Sequence, residues 1–272
     1  MKALHLKNEI YKGADGRESL VDFEIPANYN GKIILFVHGF MGFKDWGCWP
    51  LMQEYFVKLG FGFCKFNLSH NGGTIKNPID FPDEEAFATN TYAKELHDVQ
   101  EVIKWISLNF PLPFELILIG HSRGGGIVAL VDHEKVLKKI FLAPVSSFES
   151  RFPTGKELED WKTSGNRTIV NARTKQHLKQ RIDIWEDYYR NTDTLKIETL
   201  SVKNTIQTLV LHGNQDEAVA IEEGRNLAHW MNGNFIEIKG ANHTFGASHP
   251  WNKDQIPDHL MEVLQSILNF VN

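Results

Sequence analysis

The sequence predicts an α/β fold in which helices cover both faces of a mainly parallel central sheet, with a helical segment inserted into it. Short continuous apolar runs, several closed by glycine, recur along the 272 residues, as strands buried on both faces do. Amphipathic stretches of helical period fill the intervals between them. One stretch in the second half contains no such run and reads as the insertion. A chain of this length buries roughly three quarters of its surface on folding, so a single large body can hold all of the runs.

The opening segment differs from the rest: Leu20-Val21-Asp22-Phe23-Glu24-Ile25 alternates apolar with polar residues, which suggests an antiparallel hairpin at one edge of the sheet. Buried strands follow at residues 32–39, 61–66, 115–120, 139–143, 208–213 and 234–238. Helices fit residues 49–59, 93–109, 123–132, 220–231 and 254–270. In the second of these, Leu96, Val99, Val102, Ile103 and Ile106 share one face, while Lys94, Glu95, Asp98, Glu101 and Lys104 lie largely on the other. Residues 147–205 turn polar, with Trp161, Trp185, Tyr188 and Tyr189 scattered among charges, and 176–185 reads as a surface helix with a narrow apolar stripe. The expected organisation is a body of residues 1–146 and 206–272 carrying a helical cap of residues 147–205.

Composition excludes several classes of function. The formal charge is −5, and Lys and Arg never cluster with interleaved aromatics, so a nucleic-acid partner is not expected. No run of about 18 uncharged apolar residues exists to make a transmembrane segment. Charges interrupt the first nine positions too often for a signal-peptide core, which makes a cytoplasmic protein the expectation. Cys48 and Cys64 read as buried thiols, and the absence of H-E-x-x-H or clustered Cys and His ligands predicts no metal.

The chemistry resides in Gly120-His121-Ser122-Arg123-Gly124, which lies directly after a buried strand and directly before a helix. Glycines flank the central serine because a side chain at either position would collide with backbone in so sharp a turn. A serine hydroxyl is a poor nucleophile near neutral pH, so it needs a base within hydrogen-bond reach and a carboxylate to orient that base. His243 follows the last predicted strand, and Asp216 and Glu217 follow the one before it. Both loops leave the carboxyl ends of parallel strands, the edge that also carries Ser122. The developing oxyanion needs N–H donors, worth about 3 kcal/mol each. Arg123 N–H at the helix start is one, and Phe40 N–H in His38-Gly39-Phe40-Met41-Gly42 is the other, with Met41 as its alternative. His121 reads as a packing residue, and the Arg123 side chain as solvated or salt-bridged.

Together, His38-Gly39-Phe40, Gly120-His121-Ser122-Arg123-Gly124-Gly125, His212-Gly213-Asn214-Gln215-Asp216 and Gly240-Ala241-Asn242-His243 resemble the α/β-hydrolase superfamily over almost the whole chain. Within it the chain resembles the serine-nucleophile branch that contains cinnamoyl and feruloyl esterases, monoacylglycerol lipases and dienelactone-hydrolase-like proteins. The resemblance implies an α/β-hydrolase fold and a triad in the chain order Ser122, Asp216, His243, with Asp216 preferred to Glu217. It also implies a carboxylic ester or related acyl substrate, no metal and no organic cofactor. Residues 147–205 fall where members carry a cap, which makes Trp161, Trp185, Tyr188 and Tyr189 candidate substrate-binding residues. Two departures stand out. Asn67-Leu68-Ser69-His70-Asn71-Gly72-Gly73-Thr74 lacks the arginine and Gly-His-Gly spelling common in the family, and Ser122 stands where dienelactone hydrolases carry cysteine. Peptidases, amidases, acyltransferases and thioesterases share the constellation, and a non-catalytic ligand-binding member is the reading from outside enzymology.

Overall fold

The structure, a computed structural model, describes residues 2–272. Its first two strands, β1 (Leu4–Lys12) and β2 (Glu18–Ile25), form the expected antiparallel edge hairpin. The strands β3 (Lys32–Val37), β4 (Gly62–Phe66), β5 (Glu115–His121), β6 (Val136–Leu142), β9 (Gln207–Gly213) and β10 (Asn234–Ile238) run parallel to one another. With β1 and β2 they complete an eight-stranded sheet of order β1-β2-β4-β3-β5-β6-β9-β10.

Alternation along the strands builds two apolar layers. Ile33, Leu35 and Val37 of β3 face one way with Leu116 and Leu118 of β5, and Ile34 and Phe36 face the other with Ile117 and Ile119. The first layer is covered by α3 (Tyr92–Asn109), α4 (Arg123–Leu130) and α9 (Ile221–Trp230), through Val99, Val102, Ile103, Ile127, Val128 and Leu227. The second is covered by α1 (Trp49–Lys58) and α10 (Asp258–Val271), through Met52, Phe56, Leu260, Val263 and Ile267. Both faces are therefore sealed, which is why the strands read as continuous apolar runs. Thr91 caps α3 by accepting from Lys94 N–H at 3.3 Å. No helix among the described residues is long and apolar enough to cross a membrane.

The loop after β3 is tied down by charge. The buried Lys44 ammonium donates to Asp22 of β2 at 2.8 Å and to Asp45 at 2.6 Å, and Lys65 of β4 donates to the same Asp22 oxygen at 2.8 Å. Removing one member of such a buried set strands the others, at a cost of about 3–5 kcal/mol.

The segment expected to be wholly helical is not. It contains α5 (Gly155–Ser164), α6 (Asp183–Arg190), α7 (Thr192–Leu195) and α8 (Ile197–Ser201), but also an antiparallel hairpin of β7 (Asn166–Val170) and β8 (His177–Arg181). Leu178, Ile182 and Trp185 are spaced four and three apart, which fits a helix equally well. Burial decides for the strand: Leu178 and Gln180 point inward while His177 and Lys179 point out, and Leu178 packs against Phe81 and Phe87 near α2 (Glu84–Ala88).

Close packing between β9 and the loop after β10 gives a stability test. A Cβ added at Gly213 would lie 2.2 Å from the Ala241 carbonyl oxygen, whereas one at Gly16, at φ +70°, would meet nothing within 4 Å. Gly213→Ala is expected to cost about 3 kcal/mol and Gly16→Ala about 1 kcal/mol. Urea unfolding midpoints check this, and equal losses would contradict it.

Candidate active site

Between β5 and α4 the chain turns so sharply that Ser122 is held at φ 56°, ψ −122°, a backbone state costing about 1–3 kcal/mol in a residue with a side chain. Neighbouring backbone enforces it. A Cβ at Gly120 would sit 2.4 Å from Gly124 O, and one at Gly124 would sit 2.4 Å from Val37 O. Ser122 N–H donates to Leu142 O at 2.9 Å, and Ser122 O accepts from Gly125 N–H and Val145 N–H at 3.0 Å each. The hydroxyl is thereby projected at the carboxyl edge of the sheet, beside the loop after β3, where Gly39 leaves room for the Ser122 Cβ that a side chain would contact at 2.9 Å.

Asp216 and His243 arrive from the loops after β9 and β10. His243 Nδ1 donates to Asp216 Oδ2 at 2.7 Å, while Oδ1 accepts from Ala218 N–H at 2.8 Å and Val219 N–H at 2.9 Å. Burial alone would raise the Asp216 carboxyl, but hydrogen bonds from His212 and His243 outweigh it and hold the group well below the usual carboxylate range. Glu217, the competitor for this role, is exposed. Because the carboxylate occupies His243 Nδ1, the other ring nitrogen is left for a substrate-side partner.

His212 is the residue to which the sequence reading assigned no role. Its imidazole is fully buried, and Nε2 lies 3.1 Å from Asp216 Oδ2 and 3.0 Å from Val219 O. Both neighbours are acceptors, so Nε2 carries a proton and donates, while Nδ1 is buried without a partner. Asp216 thus receives four donors. The signal lay in the spacing, because a histidine four residues before the acid, at the end of β9, is placed to meet it as the loop turns back.

Two further histidines tie the loops together. His121 Nε2 donates to His243 O at 2.9 Å, linking the serine turn to the histidine loop. Burial, reinforced by the neighbouring His243, pushes its pKa down to about 3. His38 Nε2 accepts from Leu68 N–H at 3.1 Å while Nδ1 donates to Gly39 O at 2.8 Å, and burial lowers its pKa to about 4.

Ser122 and His243 open into a cavity of about 470 Å³, walled by Phe40, Trp46, Trp49 and His249 and reached by Asn171 and Arg173 from the β7–β8 turn. Arg123 begins α4, where the first N–H groups of a helix have no intrahelical acceptor. Its side chain is buried, ion-paired to Glu95 at 3.2 Å and stacked 3.8 Å over the Phe40 ring, so it is salt-bridged and does not line the cavity.

Trp161, Trp185, Tyr188 and Tyr189, the candidate substrate-binding residues of the insertion, are not among the residues that line it. Trp161 is buried and donates to Gln180 O at 3.1 Å. Tyr188 packs edge-on to Tyr92 of α3 and to Phe152. Trp185 lies 4.7 Å from Tyr189, whose hydroxyl donates to Glu149 at 2.9 Å. Tyr188 of α6 thus meets α3, and Phe152 links it to Trp161 of α5 and to Tyr189, so the rings form a seam within the insertion that touches the body at Tyr92. The aromatic walls of the cavity come from the loop after β3, the first residue of α1 and the loop after β10.

A sequence profile described as the alpha/beta hydrolase family matches residues 34–252. No curated protein sequence matches the chain. Among solved structures, it is similar to Est1E from Butyrivibrio proteoclasticus with ferulic acid bound, at 20% identity and TM-score 0.73, over 97% of this chain and 98% of that one. It is also similar to a hydrolase from Agrobacterium vitis described as putative, at 16% identity and TM-score 0.73, with 100% of both chains covered. The esterase domain of a Rhodothermus marinus protein is similar at 14% identity and TM-score 0.64, over 99% of this chain and 98% of that one.

The buried histidines set a pH dependence of stability. A histidine whose folded pKa lies below its unfolded value near 6.5 contributes stability above about pH 6.5 and loses it as pH falls toward the folded value. Between pH 7 and pH 5 the loss is about 2 kcal/mol for each such residue. In His121→Gln the drop between those pH values, read from urea unfolding, is expected to shrink by about that amount. An unchanged drop would contradict it.

Proposed function

The chain belongs to the alpha/beta hydrolase family, and from that membership we propose that it is a serine hydrolase cleaving a carboxylic ester or related acyl compound through an acyl-enzyme. The observation that carries this reading is the His243 Nδ1 to Asp216 contact at 2.7 Å, made at the edge of the same cavity that Ser122 opens into.

In this mechanism Ser122 Oγ attacks the substrate carbonyl as the free nitrogen of His243 takes its proton. Asp216 fixes the imidazole tautomer and stabilises the cation that forms. The N–H groups of Arg123 and Phe40 hold the oxyanion, contributing about 3 kcal/mol each. His243 returns the proton to the leaving alkoxide, and water then deacylates Ser122 by the same path. No metal or organic cofactor has a role in these steps. Residues 147–205 act as the cap, in which α5 and α6 anchor the segment through their aromatic seam and the hairpin turn reaches the cavity. The aromatic walls and the ferulic acid seen in the Butyrivibrio structure support an ester as substrate. A parallel panel of esters, amides and acyl thioesters separates esterase from amidase and thioesterase activity.

Ser122→Ala is expected to abolish turnover of p-nitrophenyl acetate and labelling by a fluorophosphonate while leaving the unfolding midpoint in place; retained turnover in the folded variant would contradict the proposal. His212 is assigned as a positioning residue for Asp216. Losing a hydrogen bond to a charged group costs about 1.5–3 kcal/mol, so His212→Leu should lower kcat by roughly tenfold to a hundredfold. His212→Gln, which keeps a donor, should recover most of it. Equal losses in the two variants would show that packing, not the donor, matters.

A further inference from the structure

The cavity that holds Ser122 is chemically uneven from end to end. Ser122 and His243 line it on the side of the sheet's carboxyl edge, the rings of Phe40, Trp46, Trp49 and His249 wall it, and Asn171 and Arg173 enter it from the β7–β8 turn. Arg173 is the one lining residue with a permanent charge.

The hairpin turn presents these two side chains as donors. Asn171 Oδ1 is consumed within the turn, accepting from Arg173 N–H at 2.9 Å and Thr174 N–H at 3.2 Å. Asn171 is buried against the cavity, and its Nδ2 enters no hydrogen bond among the described residues. One Nη of Arg173 pairs with Asp80, which does not line the cavity, and Nε and the second Nη make no hydrogen bond among the described residues. Arg173 also faces His249, whose imidazole is lowered by burial and then by the guanidinium charge. Gln176 Nε2 donates to Phe81 O at 3.5 Å and Leu178 packs against Phe81 and Phe87, so the turn is held over the cavity by the body.

A planar guanidinium beside an amide N–H₂ matches the two oxygens of a carboxylate. With Asp80 already offsetting part of the Arg173 charge, a single negative charge is a better match than a phosphate dianion. We propose that Asn171 and Arg173 form a carboxylate-recognising subsite, so that preferred substrates are esters bearing a second, free carboxylate separated from the scissile carbonyl by an apolar spacer. This rests on the hydrolase reading above and deepens it.

Two matched pairs of esters test the subsite on either side of the scissile bond. The acyl-side pair is the p-nitrophenyl monoester of glutaric acid against p-nitrophenyl valerate. The alcohol-side pair is the acetate ester of p-hydroxybenzoate against phenyl acetate. In the natural protein, the carboxylate member of at least one pair should have the higher kcat/KM relative to the ratio of the two esters' hydroxide-catalysed rates. In Arg173→Gln that charged-to-neutral ratio should fall by about tenfold, through KM. Asp80→Asn, which removes the competing carboxylate, should raise it. The proposal is overturned if the ratio in Arg173→Gln equals that of the natural protein in both pairs. It is overturned equally if Asp80→Asn lowers the ratio as Arg173→Gln does, which would make the pair only a clasp. Turnover of neutral esters without preference for charged ones defeats the subsite alone. Turnover of none of the four, with no fluorophosphonate labelling, defeats the hydrolase reading on which it rests.

Discussion

The rest of the site depends on the close approach of backbone around Ser122. Gly124 must fit against Val37 and His38, and Gly120 against Gly124, so β5 and α4 can meet only through a turn that forces the residue between them to positive φ. The cost of that conformation, about 1–3 kcal/mol, is offset by the burial of Ile127 and Val128 as α4 docks on the sheet. Relaxing the turn would withdraw the helix from the core, so the hydroxyl is projected as a condition of folding. That places a reactive group at the sheet edge where three other strands release their loops.

Those loops are joined mostly by imidazoles. His38 ties the segment after β3 to the one after β4, His121 ties the serine turn to the His243 loop, and His212 ties the end of β9 to its own acid. Burial holds His38 and His121 well below the usual histidine range, so they act near neutral pH as fixed dipoles without competing charge. Asp216 is the opposite case, a buried anion stabilised by four donors. One negative charge, oriented dipoles and little water form the surroundings in which an imidazolium is best stabilised.

Much of this was legible in the sequence, for identifiable reasons. Strands sealed on both faces leave continuous apolar runs, and Gly120-x-Ser122-x-Gly124 records a steric necessity, so the sheet and the serine turn could be read directly. The resemblance supplied Asp216 over Glu217, a choice that spacing alone left open. The insertion was read less well because its apolar residues are few. Leu178, Ile182 and Trp185 satisfy a helical period, and only the distant Phe81 and Phe87 make Leu178 a strand residue. The aromatics of the insertion left two readings open for a related reason: large rings in a polar segment serve either substrate or anchorage, and Tyr92 on α3, the partner of Tyr188, lies far away in sequence. His212 stood in view without a role because its partner is visible only once the β9 loop turns back.

Within the inserted segment only the Asn171 to Arg173 turn meets the cavity, while the rings of α5 and α6 pack away from it. Specificity is then expected to reside in a few residues carried on an otherwise structural seam. The most direct test of the central claim is to quench the reaction with a p-nitrophenyl ester within one turnover and locate the acyl group by peptide mass spectrometry. The account predicts an added acyl mass on the peptide containing Ser122, at the stoichiometry of the p-nitrophenolate burst. Product released with no acyl adduct, or an adduct on any other residue, would contradict it.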